Sequence, residues 1–513
     1  MTDKSQGLFD TYAAGDRIPK HVLLETFSKA GILRSDPRLS RMFKSIDGLP
    51  EQIDAQQFRL LHDCSPALFE KVLSGQMTLP QFDSFCLELD RMFSETAEIT
   101  DGKLADYIPQ LARVNPEKFA MSVCTIDGQQ YSLGDSADFF CVQSCSKPIT
   151  YLLALEENGE SEVHSYVGTE PSGKTFNELT LNAKGRPHNP MINAGAIMSG
   201  SLVKRGQTSS DRFDYVMSKW RELAGQMKVG FDNAVYLSER QTGDRNFALA
   251  YFMREKKAFP PDVELLDVLD FYFQCCSIEV TSQAMSVVAA SLANGGTCPI
   301  TGVKVFRSDF VKNCLSLMSS CGMYDFSGEF AFRVGIPAKS GVSGAILLVV
   351  PNLLGMAIWS PRLDELGNSV RGIDFCKRLA ARYKLHAFDS MVGLRDDRLD
   401  PRRNLYESRY GGIVAFCAAA KEGDLVEMRG LIARGLDPNT TDYQDRTALH
   451  VASRCKRLAV VQYLLELGVD TNSTDSWGHT PLDDAIASGD SAIVSLLQEH
   501  GAKSSKHDRI KTE

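Results

Sequence analysis

The sequence has little of what marks several large classes of protein. Its 13 cysteines form no Cys-x-x-Cys pair, so the usual signatures of zinc ribbons and thioredoxin-like redox sites are missing. An odd number of cysteines spread through a long chain indicates reduced, intracellular thiols. Positive charge is not in excess either, because 56 Lys and Arg residues face 65 Asp and Glu residues, for a net charge of -9. This balance gives no basic surface for DNA or RNA, and we expect no nucleic-acid partner.

Long apolar runs and targeting segments are also missing. The longest apolar stretch, residues 344–359, is broken by Pro351 and Asn352 and is too short to span a bilayer. It predicts two buried strands joined by a tight turn, and we expect no membrane span. The first six residues carry neither an apolar core nor clustered arginines. No signal or transit peptide is therefore visible.

Hydrophobic periodicity and turn residues divide the chain into four parts. Residues 7–95 carry apolar residues at helical spacing and are predicted to be wholly helical. Residues 100–395 mix strand-like and helical runs without simple β-α-β alternation and contain no G-x-G-x-x-G or Walker A loop, which favours an α/β domain with an antiparallel sheet. Residues 410–502 are repetitive, and residues 503–513 are polar and predicted to be a disordered tail.

The C-terminal part contains an internal repeat with a period of 33 residues. Gly435, Gly468 and Gly501 are separated by this period, and the run that begins Thr447-Ala448-Leu449-His450 returns in similar form at Thr480. Such a period with this turn sequence is typical of ankyrin repeats, which have two helices per unit. A stack of this kind commonly presents a protein-binding face, so we expect a protein partner there. A packing or dimerisation element with no separate partner is the alternative.

One short segment has the residue types of a nucleophilic site. Ser144 and Lys147 stand three residues apart, so on a helix they share a face and can touch. Pro148 fits only in or near a first helical turn, which places Ser144 at or just before a helix start, where free amides can help stabilise an oxyanion. A buried lysine with a lowered pKa can then accept the serine proton. The pattern alone is weak, since Ser201–Lys204 and Ser453–Lys456 also match it.

Two features further along the chain strengthen this hypothesis. Lys339-Ser340-Gly341 comes directly before a predicted strand, as the K-[ST]-G segment does in serine acyl-transferases of the penicillin-binding type. Between the two motifs, Tyr324 lies in a glycine-flanked loop where its hydroxyl could relay a proton. The order S-x-x-K, loop tyrosine, K-S-G indicates a serine hydrolase. In the alternative interpretation, Lys339 pairs with a carboxylate and Tyr324 only packs in the core.

Seven runs combine polar, aromatic and small residues in a highly specific way. They are Asp106-Tyr107-Ile108-Pro109-Gln110-Leu111, Gln143-Ser144-Cys145, Pro187-His188-Asn189-Pro190-Met191, Gly243-Asp244-Arg245-Asn246, Asp270-Phe271-Tyr272-Phe273-Gln274, Cys321-Gly322-Met323-Tyr324-Asp325-Phe326-Ser327-Gly328 and Pro337-Ala338-Lys339-Ser340-Gly341-Val342. In these runs and in its domain order, the chain resembles the animal phosphate-activated glutaminases of the kidney and liver types. The resemblance implies an α/β domain of the β-lactamase/penicillin-binding-protein type, an N-terminal all-α EF-hand-like module without calcium ligands, and C-terminal ankyrin repeats.

The resemblance also implies an activity and the residues that perform it. Members of this family hydrolyse L-glutamine to L-glutamate and ammonia; inorganic phosphate is the implied activator, and no metal or organic cofactor is implied. Ser144 would be the nucleophile and Lys147 its base, with Tyr272 and Tyr324 in proton transfer. Substrate would be held by Tyr107, Gln143, Ser144, Asn193, Glu239, Asn246, Tyr272, Tyr324 and the backbone at Val342.

Regulation, assembly and location are implied as well. Residues 170–185 resemble the family's gating loop, which lies at an oligomer interface. Phe176 and Leu179 keep the family pattern, whereas Thr180 stands where the kidney type has an aromatic residue. The resemblance implies a homotetramer, with filaments as a further state. Because family members usually act in mitochondria, a mitochondrial location is expected, or a cytosolic one if this N-terminus is native.

Two other functions stay open at this point. The first is a serine amidase of the same fold that acts on a different amide, such as asparagine. The second, from a different class, is a catalytically silent ankyrin scaffold that retains the fold. The scaffold is disfavoured by the presence of Ser144, Lys147, Tyr272 and Tyr324, since a protein that no longer catalyses a reaction would be free to lose these residues.

Overall fold

The computed structural model describes residues 3–13, 15–173, 178–391, 398–402, 405–433 and 436–505. The chain divides into two compact units between His386 and Ala387. The first unit contains the predicted helical and α/β parts, and the second contains the predicted repeats. The limits of the four parts expected from the sequence stay predictions, because this division does not separate the helical part from the α/β part.

The N-terminal part of the first unit is mainly helical. Its helices are α1 (Asp3–Tyr12), α2 (Lys20–Lys29), α3 (Ser40–Asp47), α4 (Ala55–His62), α5 (Pro66–Leu73) and α6 (Phe82–Ala97). The prediction of a wholly helical segment was wrong, because strand β1 (Arg17–Pro19) pairs antiparallel with β2 (Gln52–Asp54). The pairing sets Ile18 opposite Ile53, and both are fully buried. Strands this short carry one apolar residue each, which leaves no alternating pattern to detect. The EF-hand-like description stays a prediction.

The remaining helices of the first unit surround its sheets. They are α7 (Pro109–Ala112), α8 (Lys147–Tyr166), α9 (Asn193–Ser201), α10 (Ser209–Leu223), α11 (Asn233–Gln241), α12 (Asp244–Glu255), α13 (Leu265–Cys276), α14 (Ser282–Ala293), α15 (Ser308–Cys321), α16 (Ser327–Arg333) and α17 (Val370–Arg382). A small three-stranded sheet contains β5 (Phe140–Cys141), β6 (Gly230–Phe231) and β7 (Ile278–Val280), with β7 in the middle.

A five-stranded antiparallel sheet forms the centre of this unit; the sequence predicted an antiparallel sheet but not its number of strands. In spatial order its strands are β4 (Gln130–Gly134), β3 (Ala120–Thr125), β10 (Leu354–Trp359), β9 (Ala345–Val350) and β8 (Ala338–Gly341). Every residue of β3, β9 and β10 is buried, and helix α14 packs against all three strands. Asn352 has a φ of 58° in the turn between β9 and β10, so the predicted pair of strands joined by a tight turn is confirmed.

The second unit consists of helices in consecutive pairs. They are α18 (Leu405–Glu422), α19 (Leu425–Ala433), α20 (Ala448–Arg454), α21 (Leu458–Glu466), α22 (Pro481–Ser488) and α23 (Ser491–Glu499). The 33-residue period reappears at the helix starts, where Thr447 and Thr480 form capping boxes with His450 and Asp483. Residues 506–513 of the predicted tail lie outside the described residues. No helix in the described part of the chain is both long and apolar enough to cross a membrane.

Candidate active site

The candidate nucleophile lies where a 3-10 turn, Gln143–Ser146, runs directly into helix α8. Lys147 is the first residue of α8 and Pro148 follows it, a position that proline tolerates because its missing N–H is not needed there. Lys147 Nζ donates a hydrogen bond of 2.6 Å to Ser144 Oγ. Both side chains are buried. The structure thus brings the two residues of the first motif into direct contact.

The other two Ser-x-x-Lys matches form no such pair. Ser201 Oγ instead donates to the carbonyl oxygen of Met198 at 2.7 Å. Ser453 belongs to the second unit, where helix α20 ends at Arg454, before Lys456 is reached. Of the three Ser-x-x-Lys matches, which look alike in the sequence, the tertiary structure therefore singles out Ser144 and Lys147.

The protonation of Lys147 is governed by its burial. Desolvation lowers the pKa of this amine from its ordinary 10.5, while the nearby Cys276, Cys145 and Glu239 oppose the shift. Among the residues that the structure describes, no carboxylate forms an ion pair with Lys147. A buried amine in contact with a serine hydroxyl is suited to accept its proton, because the neutral form is favoured.

Two tyrosines flank this pair from distant parts of the chain. Tyr272, in α13, has its hydroxyl 3.4 Å from Lys147 Nζ. Tyr324 begins the 3-10 turn Tyr324–Phe326; burial raises the pKa of its phenol, and the side chain of Ser144 opposes this shift. Burial also raises the pKa of Tyr272 well above its ordinary value. Both phenols therefore keep their protons at neutral pH and can donate hydrogen bonds.

The backbone is strained at two of the predicted site residues. Gln143 has a φ of 48° and Tyr324 a φ of 53°, both in the left-handed region that non-glycine residues rarely occupy. Such conformations persist where the surrounding structure enforces them, and they concentrate at functional sites. Here the two strained residues belong to the two turns that meet at Ser144.

A carboxylate lies beside the Ser–Lys pair. Glu239, in α11, is buried and accepts hydrogen bonds from the Tyr107 hydroxyl at 2.6 Å and from Gln143 Nε2 at 3.0 Å. Burial raises the pKa of Glu239, whereas the two hydrogen bonds and the charge of Lys147 lower it. The arrangement offers an oriented acceptor for a cationic group. Tyr107 is 45% exposed, so it forms the outer edge of this cluster.

Two asparagines from different helices form a second polar pair. Asn193 is the first residue of α9, and Asn246 lies in the first turn of α12. Asn193 Nδ2 donates to Asn246 Oδ1 at 3.1 Å. Helix α9 packs closely on the preceding segment just after Asn193, since a Cβ on Gly195 would lie 1.8 Å from the Asn189 carbonyl oxygen. Side-chain amides can both donate and accept, so the pair is suited to bind a carboxylate.

The K-S-G segment lies on strand β8, at the edge of the central sheet. Lys339 is fully buried, and its Nζ donates to the carbonyl oxygens of Gly322 at 3.1 Å and Ser340 at 2.8 Å. Its Nζ also lies 4.5 Å from the ring centroid of Tyr324. Lys339 has no carboxylate partner among the described residues, so the alternative of a pairing with Asp or Glu was wrong. Burial and the positive Lys147 lower the pKa of Lys339 to about 7.

Val342 directly follows β8 and packs, partly buried, against a small apolar cluster that includes Ile108 and Val235. The structure therefore places it between the elements that carry Lys339 and Tyr107. Its predicted role rests on its backbone, and the side-chain packing explains how that backbone is held.

The loop predicted to be a gate is only partly described. Phe176 lies outside the described residues. At the loop's base, the Gly168 N–H donates to the Pro187 carbonyl at 2.8 Å. A cavity of about 580 Å³ lies beside the loop, and Tyr324 is among its lining residues, which are otherwise Pro171, Ser172, Gly173, Glu178, Asn189, Met191, Ile192, Ser320, Cys321, Asp325, Ser327 and Gly328. Leu179 and Thr180 are not part of this lining.

One group of side chains has the composition of a metal site. Ligand atoms of Cys141, Asp232 and Glu279 lie within 4.8 Å of one another. Two of the three already serve the fold, because Asp232 caps α11 and Cys141 Sγ points to the Ser277 carbonyl at 3.8 Å. None of these residues belongs to the predicted active site.

Comparison with known proteins gives one consistent result. A family model described as Glutaminase matches residues 102–388, and a model described as Ankyrin repeats (many copies) matches residues 431–485. The chain is 45% identical over 464 residues to "Glutaminase liver isoform, mitochondrial" of Rattus norvegicus. The aligned residues cover 89% of this chain and 77% of the relative. A shorter relative named "Glutaminase", from Nostoc, is 45% identical over 304 residues, which cover 59% of this chain and 90% of the relative.

Solved structures agree with this result. The structure named "Probable glutaminase ybaS" is 36% identical and superimposes with a TM-score of 0.57, covering 59% of this chain and 97% of the solved one. These neighbours confirm the predicted α/β fold of the β-lactamase-like type, and the second match confirms the ankyrin repeats. Both the extent of the family match and the identity over most of the chain lead to the same conclusion: this chain is a member of the glutaminase family, and therefore an amidohydrolase.

Proposed function

We propose that this protein hydrolyses L-glutamine to L-glutamate and ammonia through an acyl-enzyme formed on Ser144. The observation that carries the proposal is the hydrogen bond of 2.6 Å from Lys147 Nζ to Ser144 Oγ. It joins a nucleophile to a base whose charged form is disfavoured by burial. The relatives from rat and Nostoc both bear the name glutaminase, which supports glutamine as the substrate.

In the first half-reaction, Ser144 Oγ attacks the carbon of the substrate's side-chain amide, and Lys147 Nζ takes the hydroxyl proton. Tyr272 and Tyr324 pass a proton to the amide nitrogen, the C–N bond breaks and ammonia leaves. A γ-glutamyl ester remains on Ser144. The positive end of the α8 dipole and the backbone at Val342 are proposed to stabilise the negative charge that develops on the carbonyl oxygen.

In the second half-reaction, a water molecule attacks the ester carbonyl while Lys147 takes one of its protons. The ester C–O bond breaks, glutamate leaves and Ser144 regains its proton. Lys147 therefore takes a proton from Ser144 in the first half-reaction and from water in the second, and each time it must give the proton up again. The proposed chemistry uses no metal ion and no organic cofactor.

The polar groups around the nucleophile suit the ends of an amino acid. Glu239 is proposed to pair with the substrate's α-ammonium, helped by the hydrogen bonds that Tyr107 and Gln143 donate to its carboxylate. Asn193 and Asn246 are proposed to donate to the α-carboxylate, which would replace the hydrogen bond between them. Binding both charges fixes the distance from the α-carbon to the reacting amide.

Regulation and assembly form a second level of the proposal. Activation by inorganic phosphate, a homotetramer and filaments follow from the family, with Phe176, Leu179 and Thr180 in the gate. We propose that Leu237, Tyr251 and Leu266, large apolar side chains that are each about half exposed on helices α11, α12 and α13, take part in this assembly. The rat relative is named mitochondrial, and we propose the same location here. A protein partner is proposed for the ankyrin repeats.

One experiment separates glutamine hydrolysis from its rivals. Purified full-length protein is given glutamine or asparagine, with and without inorganic phosphate, and ammonia and the free amino acid are measured. Release that is selective for glutamine and rises with phosphate supports the whole proposal. Faster release from asparagine than from glutamine would show that the enzyme is an amidase for the shorter amino acid. No release from either amide, from folded protein with phosphate present, would favour the silent scaffold.

A further inference from the structure

The turn that carries Tyr324 is strained and yet firmly held. Tyr324 is buried with a φ of 53°, in the left-handed region. A bulky side chain is disfavoured in this region, so the surrounding contacts must keep it there. Ser327 follows Tyr324 by three residues and Met323 by four. It begins helix α16 and is itself buried.

One hydroxyl helps to close this turn, together with backbone hydrogen bonds from the Phe326 N–H to the Met323 carbonyl oxygen at 3.1 Å and from the Ser327 N–H to the Tyr324 carbonyl oxygen. Ser327 Oγ accepts a hydrogen bond from the Met323 N–H at 2.9 Å and donates one to the Tyr324 carbonyl oxygen at 2.6 Å. The two bonds reach the backbone on both sides of the Tyr324 Cα. They therefore restrain the two dihedral angles that aim the Tyr324 side chain. Few groups can do this, because the atom must donate and accept at once.

The opposite side of the turn is anchored to the sheet. The Gly322 carbonyl accepts hydrogen bonds from the Ser340 N–H at 3.0 Å and from Lys339 Nζ at 3.1 Å. Gly322 also lies so close to β8 that a Cβ there would be 1.8 Å from the Ala338 carbonyl oxygen. The contacts with β8 fix the Gly322 end of the turn, and the Ser327 hydroxyl helps to fix the other end.

We infer that Ser327 is a positioning residue for the proposed hydrolysis: by clamping the backbone around Tyr324, it holds the Tyr324 ring in place at the proposed site, where the ring centroid lies 4.5 Å from Lys339 Nζ. The inference rests on the proposed function for its catalytic consequence, whereas the clamp itself is a property of the turn. Ser327 touches neither Ser144 nor Lys147 in its own hydrogen bonds, so its effect passes through Tyr324.

A double-mutant cycle tests this route. Ser327→Ala is expected to lower kcat about 10- to 100-fold with little change in KM, since small displacements of a reacting group cost rate rather than binding. In a Tyr324→Phe background, which has no hydroxyl to aim, Ser327→Ala is expected to cause no further loss. Ser291→Ala is the matched control, because Ser291 is fully buried and donates to the Leu223 carbonyl at 2.8 Å, outside the site. If the fold-losses in kcat of the two single variants multiplied in the double variant, the inference would be overturned.

Hydrogen exchange tests the clamp without relying on activity. In the wild-type protein the Met323 amide is expected to exchange slowly, although it lies in a turn, because Ser327 Oγ is its acceptor. In Ser327→Ala the same amide is expected to exchange faster, with exchange in α10 unchanged. Rapid exchange in the wild type, or no change in the variant, would refute the clamp. If the wild type released no ammonia from glutamine but the exchange result held, the proposed function would fail and the clamp would stand.

Discussion

Lys147 Nζ and Ser144 Oγ are 2.6 Å apart, joined by a hydrogen bond that spans the junction of a 3-10 turn and helix α8. Both atoms belong to buried side chains, and the amine has no acidic partner among the described residues. Burial removes the hydration that both groups would keep at the surface, and in the proposed mechanism it favours the neutral amine that accepts the serine proton.

Removing the nucleophile is expected to abolish turnover. Ser144→Ala deletes the hydroxyl that receives the Lys147 hydrogen bond, and kcat should fall by at least about 10³-fold, as in other covalent serine mechanisms. Ammonia and glutamate release measure the effect. Ser201→Ala is the matched control, because Ser201 is the buried serine of a second Ser-x-x-Lys match and bonds only within its own helix region. Wild-type rates in Ser144→Ala, with a normal melting temperature, would show that the nucleophile is a different group.

The rate is expected to rise with pH. Lys147 acts as a base only when neutral, so activity is gained as the pH rises through its folded-state pKa, which burial holds below the ordinary 10.5. The rising limb should therefore lie at lower pH than for a lysine in water. Initial rates and thermal midpoints measured on the same samples separate titration from unfolding. A profile that is flat between about pH 6 and pH 9 would contradict the role of Lys147.

Glu239 is expected to set recognition of the substrate's amino group. Glu239→Gln removes the charge but keeps the shape, and should lower kcat/KM for glutamine by an amount that corresponds to about 2–5 kcal/mol of activation free energy, the usual cost of breaking a buried charge pair. 4-Carbamoylbutanoate, which lacks the α-ammonium, should be a poor substrate for the wild type and lose little more in the variant. Glu279→Gln, at a half-buried carboxylate whose pKa burial also raises, is the control. Equal losses with both substrates would exclude this pairing.

Two glycines near Tyr324 are expected to respond in opposite ways to alanine. A Cβ at Gly322 would lie 1.8 Å from the Ala338 carbonyl oxygen, whereas a Cβ at Gly328 would meet nothing within 4 Å. Gly322→Ala should therefore displace the Tyr324 turn and lower both kcat and thermal stability. Gly328→Ala, within helix α16, should be neutral or stabilise the protein by up to about 1 kcal/mol. Thermal melting and kcat for the two variants check this, and full activity in Gly322→Ala would show that the turn can shift without consequence.

Much of the fold could be predicted because its signals are local. The helical spacing predicted within residues 7–95 appears in the structure as helices such as Pro66–Leu73, because apolar periodicity is read from neighbouring residues alone. The strands that flank Pro351 and Asn352 are equally visible, since they are continuous apolar runs. The paired strands at Ile18 and Ile53 were missed, because each contributes one buried residue to a contact that forms only on folding.

By itself, the sequence determined the ankyrin period and the family to which the chain belongs, and it contained three Ser-x-x-Lys matches, because these depend on residue order and short spacing. The tertiary structure alone decided which of three Ser-x-x-Lys matches forms a hydrogen bond, that Asn193 meets Asn246, and that Ser327 clamps the turn of Tyr324. Such contacts join residues on separate elements or depend on one backbone conformation. They exist only once close packing has excluded water and fixed the distances between the elements.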